Sequence, residues 1–406
     1  MSTGPEIEKK YFSVSRERDR CIVCGRAGLT EVLPLPALPL TGIFLQPGED
    51  RSRYPNFDQA LLFCDECGHG QLRFFIDPKV VYGSIYTHRS SRSPIAAGGN
   101  DFFAAFVGQV AAGRNFNRVV DIGCNDLYLL GKFRGRAAEL IGIDPIWRGK
   151  APPESGGARV IGKFAEEVDF EREAGGADLV LSAHTFEHVD SPLAPLARAL
   201  AAAAPGALFV IEVPSLDTLL ANLRFDQVFH QHVNYFSLAS MSRLIRELGG
   251  EYLAHTYNYG YWGGTMLVAF RKPAGRPAPP PEFNRPARES IAESYARFRE
   301  QMDLVRRALL AARHETIYGY GAAQMLPTLA YHLRSDLSFL AGLLDDDPAR
   351  GGLTYPTLPI IIRNPADDFS LANSTALLTA LDSARPILRR LIALGARRII
   401  LPLPIL

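Results

Sequence analysis

Two kinds of stretch in this chain carry residue types and spacings that could do chemistry. The first is a pair of cysteine turns, Cys21-Ile-Val-Cys24-Gly and Cys64-Asp-Glu-Cys67-Gly. A Cys-x-x-Cys turn lets two thiolates grip one ion, and two such turns make a closed tetrahedral Zn²⁺ site with no open position. One pair alone could be a redox motif. Two pairs in one small segment point to structural zinc held by Cys21, Cys24, Cys64 and Cys67. A complete set of four thiolates leaves nearby His69 no ligand role, and the Pro-rich stretch Leu33 to Leu40 is expected to loop out between the pairs.

The second kind is rich in imidazole. Arg224 to Ser237 gathers His230, Gln231, His232, Asn234 and Tyr235, with His230 and His232 on one face if the segment is extended. An imidazole accepts a proton near neutral pH, so this stretch could hold a general base or touch substrate. Its histidines could also be metal ligands or half-buried packing residues. His188, in His184-Thr-Phe-Glu-His188, has a similar standing. In Tyr259-Gly-Tyr-Trp-Gly-Gly-Thr265, Gly264 marks either a close approach of backbone or ligand, or a hairpin turn.

The elements that must position these residues read as α/β. Val119-Val-Asp121-Ile-Gly123-Cys-Asn125-Asp126 is a strand running into a tight turn, and Leu140 to Asp144 is a second strand ending in an acid. In nucleotide-binding folds such an acid holds ribose hydroxyls. Gly123 lacks the two companion glycines of a dinucleotide loop, which suits S-adenosylmethionine; the alternative is an ordinary turn with acids at helix N-caps. Residues 100 to 270 alternate helix and strand, which argues for a parallel sheet with helices on both faces. Asp121, Asp144, His184 and Glu212 to Pro214 then fall at strand carboxyl ends, where one crevice can collect them.

A proline-rich linker, Arg271 to Glu282, leads to a long helix (Arg288 to Arg313) and a second strand–glycine–strand pattern through Gly319-Tyr320-Gly321. A dehydrogenase reading of that loop is weak, because the third glycine is missing. No sequence repeat links the two α/β units. The expected domains are 1–85 (zinc module), 86–275 (cofactor domain) and 276–406 (a Rossmann-like substrate domain). Between the first two, the hydroxyl-rich loop Val81 to Pro94 could bind phosphate through Arg89 or Arg92 with Ser90 and Ser91, or could be a linker.

The 406 residues are 47% hydrophobic with a net charge of +1, enough for real cores and without the basic excess of a nucleic-acid binder. No apolar run approaches a membrane span, and the first residues lack a signal-peptide core, so a cytoplasmic protein is expected.

The order of these motifs resembles one known family. A four-cysteine module is followed by Asp121-Ile-Gly-Cys-Asn-Asp126, His230-Gln-His-Val-Asn-Tyr-Phe-Ser237, Gly263-Gly-Thr265, Gly319-Tyr-Gly-Ala-Ala323 and Leu401-Pro-Leu-Pro404. The same order marks the zinc-containing, three-domain, S-adenosylmethionine-dependent C-methyltransferases of nucleotide-linked 4-keto-deoxysugars, and the likeness covers nearly the whole chain. The resemblance implies structural zinc, a central methyltransferase domain and a small-molecule nucleotide-sugar substrate held between the central and C-terminal domains. The reaction it implies is methyl transfer to a carbon deprotonated alpha to a ketone, by a monomer or homodimer.

Carried over by position, Asp121, Gly123, Asn125 and Asp126 would cradle the cofactor, Asp144 would hold its ribose, and Phe164 or Ala165 would flank its adenine, with His184 at the same crevice. His232 would be the base, with His230 and His188 beside it. Tyr82, Tyr86, Ser90 and Ser91 would reach the substrate diphosphate, and Asn234, Tyr235, Gly264 and Tyr320 would contact substrate. The chain departs from the family at Phe229-His-Gln231-His232, where the family reads Tyr-His-Glu-His. It also departs at Leu127, which replaces a loop glycine, and at Gln324-Met325, which lacks a lysine. Loss of the carboxylate predicts a weaker imidazole base. The departures leave room for a methyltransferase acting on oxygen or another acceptor, or for an inactive nucleotide-sugar-binding protein.

Overall fold

The computed structural model describes residues 15–77, 90–150 and 156–405; Tyr82, Tyr86 and Arg89 lie outside them. The N-terminal module pairs β1 (Ser15–Glu17) with β5 (Phe74–Ile76), and builds an antiparallel sheet from β2 (Thr30–Leu38), β3 (Phe57–Cys64) and β4 (His69–Leu72). Here one expectation fails. The Pro-rich stretch does not loop out; most of it is strand β2. Leu33, Leu35 and Leu38 are buried while Pro34 and Pro36 are exposed, and β2 is an edge strand, where a missing N–H costs no ladder bond.

The outer partner of β4 is β11 (Asn234–Tyr235), which comes from the imidazole-rich stretch. The zinc module's sheet is thus completed by the segment that follows His232.

The central sheet contains β6 (Phe116–Ile122), β7 (Ala137–Ile143), β8 (Arg159–Ile161), β9 (Leu179–Ala183), β10 (Leu208–Pro214), β12 (Glu251–Asn258) and β13 (Thr265–Arg271). Its order is β12-β13-β10-β9-β6-β7-β8, parallel from β8 to β10, with β12 and β13 antiparallel at one edge. Val119, Val120 and Ile122 are buried, the signature of a strand covered on both faces. The C-terminal sheet is wholly parallel: β14 (Thr316–Tyr320), β15 (Gly342–Leu344), β16 (Ile362–Arg363), β17 (Ser374–Leu378) and β18 (Arg398–Ile400), in the order β16-β15-β14-β17-β18. The apolar run Ile399 to Leu406 suggests a longer last strand, but β18 stops at Ile400, ahead of Pro402 and Pro404.

One hydrophobic core joins all three parts. Leu33, Leu61 and Phe63 of the zinc module, Leu216 and Phe225 of the central unit, Phe298 and Met302 of helix Arg288–Ala311, and Leu326 and Leu343 of the C-terminal unit belong to it. Among the described residues, no helix is long and apolar enough to cross a membrane.

Candidate active site

The four expected metal thiols converge. Cys21 and Cys67 sulfurs lie 3.5 Å apart, Cys24 and Cys64 sulfurs 3.6 Å apart, and all four within 4.8 Å of one another. A tetrahedral ion with Zn–S bonds of ~2.3 Å needs sulfurs ~3.8 Å apart, so the set fits zinc. His69 is buried with its ring 4.8 Å from that of Phe236, outside the thiol cluster.

A cavity of 410 Å³ opens at the carboxyl ends of β6, β7 and β9. Its floor is the turn after β6. Gly123 has φ +84, and a Cβ there would lie 1.8 Å from Thr185 Oγ1, so both backbone conformation and space demand glycine. Leu127, in place of a glycine, also takes a left-handed φ of +68 and is buried. Asp144 organises the turn: its carboxylate accepts the Asn125 N–H (2.9 Å) and the Ile146 N–H (3.0 Å). Trp147 Nε1 donates to the Asn125 carbonyl (2.7 Å).

Asp121 is the exception. One of its oxygens is buried without a partner, and burial together with the Asp144 charge pushes its pKa up to about 8. Buried polar atoms are nearly always paired, so the orphan marks a place for a ligand. Phe164 and Ala165 line the far wall, with the Arg148 guanidinium over the Phe164 ring. Ser90 lies at the cavity, and the Ser90 and Ser91 N–H groups donate to the side chains of Asn125 (3.4 Å) and Asp126 (2.9 Å). The hydroxyl-rich loop therefore ends against the glycine turn.

Histidines gather at the same end of the sheet. His184 follows β9 with φ +52, and its Nδ1 lies 3.1 Å from Glu187 Oε1. Glu187 is 1% exposed and has a second oxygen without a partner. His188 Nδ1 donates to the Gln231 carbonyl (2.8 Å), leaving Nε2 3.8 Å from Glu187. The His232 ring lies 4.8 Å from His188, 4.2 Å from Phe229 and 5.5 Å from Trp262. Burial and the two nearby histidines hold its pKa well below the ordinary imidazole value.

Other expected residues stand elsewhere. His230 donates from Nε2 to the Leu38 carbonyl (2.9 Å) of the zinc module, against Phe57, and is not in the cavity wall. Residues two apart share a face only where the chain stays extended, and here Phe229 to His232 makes a turn (His232 N–H to Phe229 O, 3.1 Å), so His230 and His232 part. Asn234 is consumed by the Phe186 and Val189 carbonyls and by Arg18. Tyr235 is buried in the β11–β4 seam, its hydroxyl accepting from the Phe229 N–H (3.2 Å). Tyr320 donates to Asp346 (2.7 Å) inside the C-terminal unit. The Gly264 carbonyl accepts from Thr218 (2.7 Å), which pins the loop behind Tyr261 and Trp262.

Gln231 faces the zinc module: it accepts from the Thr41 hydroxyl (2.8 Å) and donates to the Thr41 carbonyl (2.7 Å). A carboxylate there would lose the second bond and oppose a carbonyl. Sequence reasoning missed Glu187, Thr185, Tyr261 and the buried Arg224, which grips Asp226 and reaches Asp382 of the C-terminal unit (2.8 Å). Only the Glu-His dipeptide at 187–188 gave any signal for them.

A methyltransferase-domain family matches residues 96–255, and a zinc-binding-domain family matches residues 21–82. The C-methyltransferase NovU of Streptomyces niveus is 29% identical over 325 residues, 76% of this chain and 77% of that protein. The chain is an S-adenosylmethionine-dependent methyltransferase with a zinc-binding module, similar over most of its length to that C-methyltransferase. Among solved structures, the N-methyltransferase NodS from Bradyrhizobium japonicum is 15% identical (TM-score 0.36), over 45% of this chain and 98% of its own. The 1,6-didemethyltoxoflavin-N1-methyltransferase from Burkholderia thailandensis is 16% identical (TM-score 0.34), over 45% and 81%. The methyltransferase thus has two groups to bind: zinc, which suits the four-thiol cluster, and S-adenosylmethionine, which suits the cavity with its glycine turn and orphaned acid.

Proposed function

We propose that this methyltransferase methylates a carbon alpha to the ketone of a nucleotide-linked deoxysugar, with a histidine removing the proton. The observation that carries this reading is the cluster of His184, Glu187, His188 and His232 beside the cofactor cavity. A carbon acid needs a positioned base, whereas an ionised acceptor needs none. The likeness to a C-methyltransferase supports the same choice.

In this reading Asp121, Gly123, Asn125 and Asp126 hold S-adenosylmethionine. Asp144, in the cavity wall, meets the ribose hydroxyls, and Phe164 and Ala165 flank the adenine. The bound donor supplies an electrophilic methyl. Ser90 and Ser91, with Tyr82 and Tyr86, approach the substrate diphosphate. The zinc site is structural, since four thiolates leave no open position. The test is incubation with S-adenosylmethionine carrying a ¹³C-methyl and a set of nucleotide-linked 4-keto-deoxysugars, with the product read by NMR. A methyl bonded to carbon is expected; a methyl on oxygen, or none on any keto-sugar, would sink the reading.

A further inference from the structure

We propose that Glu187 and His184 form the proton-accepting pair of this site, with His184 Nε2 taking the substrate proton and Glu187 holding Nδ1–H. This rests on the carbon-methylation reading above and deepens it by naming the base.

Four observations converge on the pair. His184 lines the cavity, and its Nε2 is buried without a protein partner under the rings of Tyr261 (4.9 Å) and Trp262 (5.9 Å). Its φ of +52 is a costly backbone for a non-glycine residue, and such strain collects at functional sites. Glu187 Oε1 lies 3.1 Å from Nδ1, which selects the tautomer with its lone pair on Nε2. The other candidates are compromised. His188 has its proton fixed at Nδ1 by the Gln231 carbonyl, so its Nε2 lone pair is turned toward the Glu187 carboxylate at 3.8 Å. His232 has a Glu187 oxygen within 4.8 Å of its ring but no hydrogen bond to it, since Glu187 bonds His184, and Gln231 is bound to Thr41.

The electrostatics agree. Burial lowers the His184 pKa, but the Glu187 hydrogen bond and the charges of Glu187, Glu212 on β10 and Asp382 of the C-terminal unit outweigh it, and the net shift is upward. His188 and His232, facing it from the same cluster, are both shifted down, chiefly by burial.

In the step, the substrate C–H bond breaks and its electron pair forms the enolate, with the charge on the keto oxygen. The proton moves to Nε2, and Glu187 holds the Nδ1–H of the imidazolium. The enolate carbon then bonds to the methyl of S-adenosylmethionine as the methyl–sulfur bond breaks, the ketone re-forms, S-adenosylhomocysteine leaves, and His184 returns the proton to solvent. His184 is the catalytic residue and Glu187 a positioning residue.

Two measurements on the zinc-loaded protein test the pair. The first is ¹⁵N-histidine NMR titration with S-adenosylhomocysteine bound. Neutral His184 should carry its proton on Nδ1, and Glu187→Gln should lower its pKa by about one unit or more; an unmoved titration overturns the pair, whatever the substrate. The second is exchange of the alpha proton of a nucleotide-linked 4-keto-sugar into D₂O. His184→Asn should slow exchange by about 10²-fold or more. Glu187→Gln should lower kcat with KM little changed and shift the kcat–pH profile, and Glu187→Asp should restore part of the loss. Exchange retained in His184→Asn but lost in His232→Asn would make His232 the base and end this proposal with the carbon-methylation reading intact. No exchange and no methyl transfer by the unmodified enzyme would end that reading instead, and the titration would still decide the pair.

Discussion

In the central unit, Gly123 follows β6 and its N–H donates to the carbonyl of Ile143 at the end of β7; in the C-terminal unit, Gly321 follows β14 and its N–H donates to the carbonyl of Leu344 at the end of β15. The residue just after each second strand is an aspartate that accepts a backbone N–H from the glycine loop: Asp144 from Asn125 (2.9 Å), Asp345 from Ala322 (2.6 Å). A threonine hydroxyl closes both turns, Thr185 onto the Ile122 carbonyl and Thr379 onto that of Gly321. Five parallel strands follow one order in both, β8-β7-β6-β9-β10 and β16-β15-β14-β17-β18. The difference lies in what fills the crevice. Where the central unit has Asp121 with an orphaned oxygen, the C-terminal unit has Gly319 packed on Leu340 and Leu343. There Arg350 donates to the Ala322 carbonyl (2.6 Å) and to Asp345 (3.2 Å) and stacks over Phe44 of the zinc module. One strand–glycine–acid plan makes a ligand cavity where its polar groups are left unpaired, and a structural joint where the chain pairs them itself.

The comparison breaks most sharply at the first glycine. Gly123→Val places a β-branched side chain at φ +84 and against Thr185. The combined strain and overpacking, about 2–4 kcal/mol, should weaken S-adenosylhomocysteine binding by about 10²-fold or more in calorimetric titration. Unchanged affinity would show that this loop is not the cofactor site. The paired acids come next. Asp144→Ala should cost about 2–3 kcal/mol of S-adenosylhomocysteine affinity, since it removes two charge-assisted loop bonds and, in the proposed reading, the ribose acceptors. Asp345→Ala should leave that affinity unchanged and lower the melting temperature instead. Equal effects of the two on binding would contradict the division of labour.

A smaller effect is expected from Asp121. Its pKa of about 8 lies above the unfolded carboxylate range, so between about pH 4 and 8 the folded state keeps a proton that the unfolded chain has released. Stability without ligand should therefore fall as pH rises through that window. Asp121→Asn should flatten the dependence in thermal melts, with its advantage over the natural residue largest at about pH 8 and gone near about pH 4. The smallest change is Arg350→Gln, which loosens the joint without making a second cofactor site. A drop of about 1–3 °C in melting temperature, with one S-adenosylhomocysteine bound per chain, is the expected outcome.

Local spacing made much of this legible. Two Cys-x-x-Cys turns specify their ligands because each pair is set within one turn of chain, and the four sulfurs do meet. The alternation of strands and helices gave both α/β units because periodicity reports burial directly. Local rules failed where a neighbour decided the outcome. Pro34 and Pro36 sit in a strand because nothing pairs on their outer side, a fact about sheet order. His230 and His232 look equivalent in sequence, yet one belongs to the zinc module and the other to the histidine cluster.

By itself, then, the sequence determined the metal ligands, the glycine turn with its acids and the order of the elements, because each depends on residues close together in the chain. Only the tertiary structure decided that Gln231 serves Thr41, 190 residues away, and that Arg224 is held by Asp382, 158 residues away. It also decided that one glycine crevice stays open while the other is filled. Pairing and burial of polar groups are settled by whichever segments the fold brings together, and no local pattern encodes that choice.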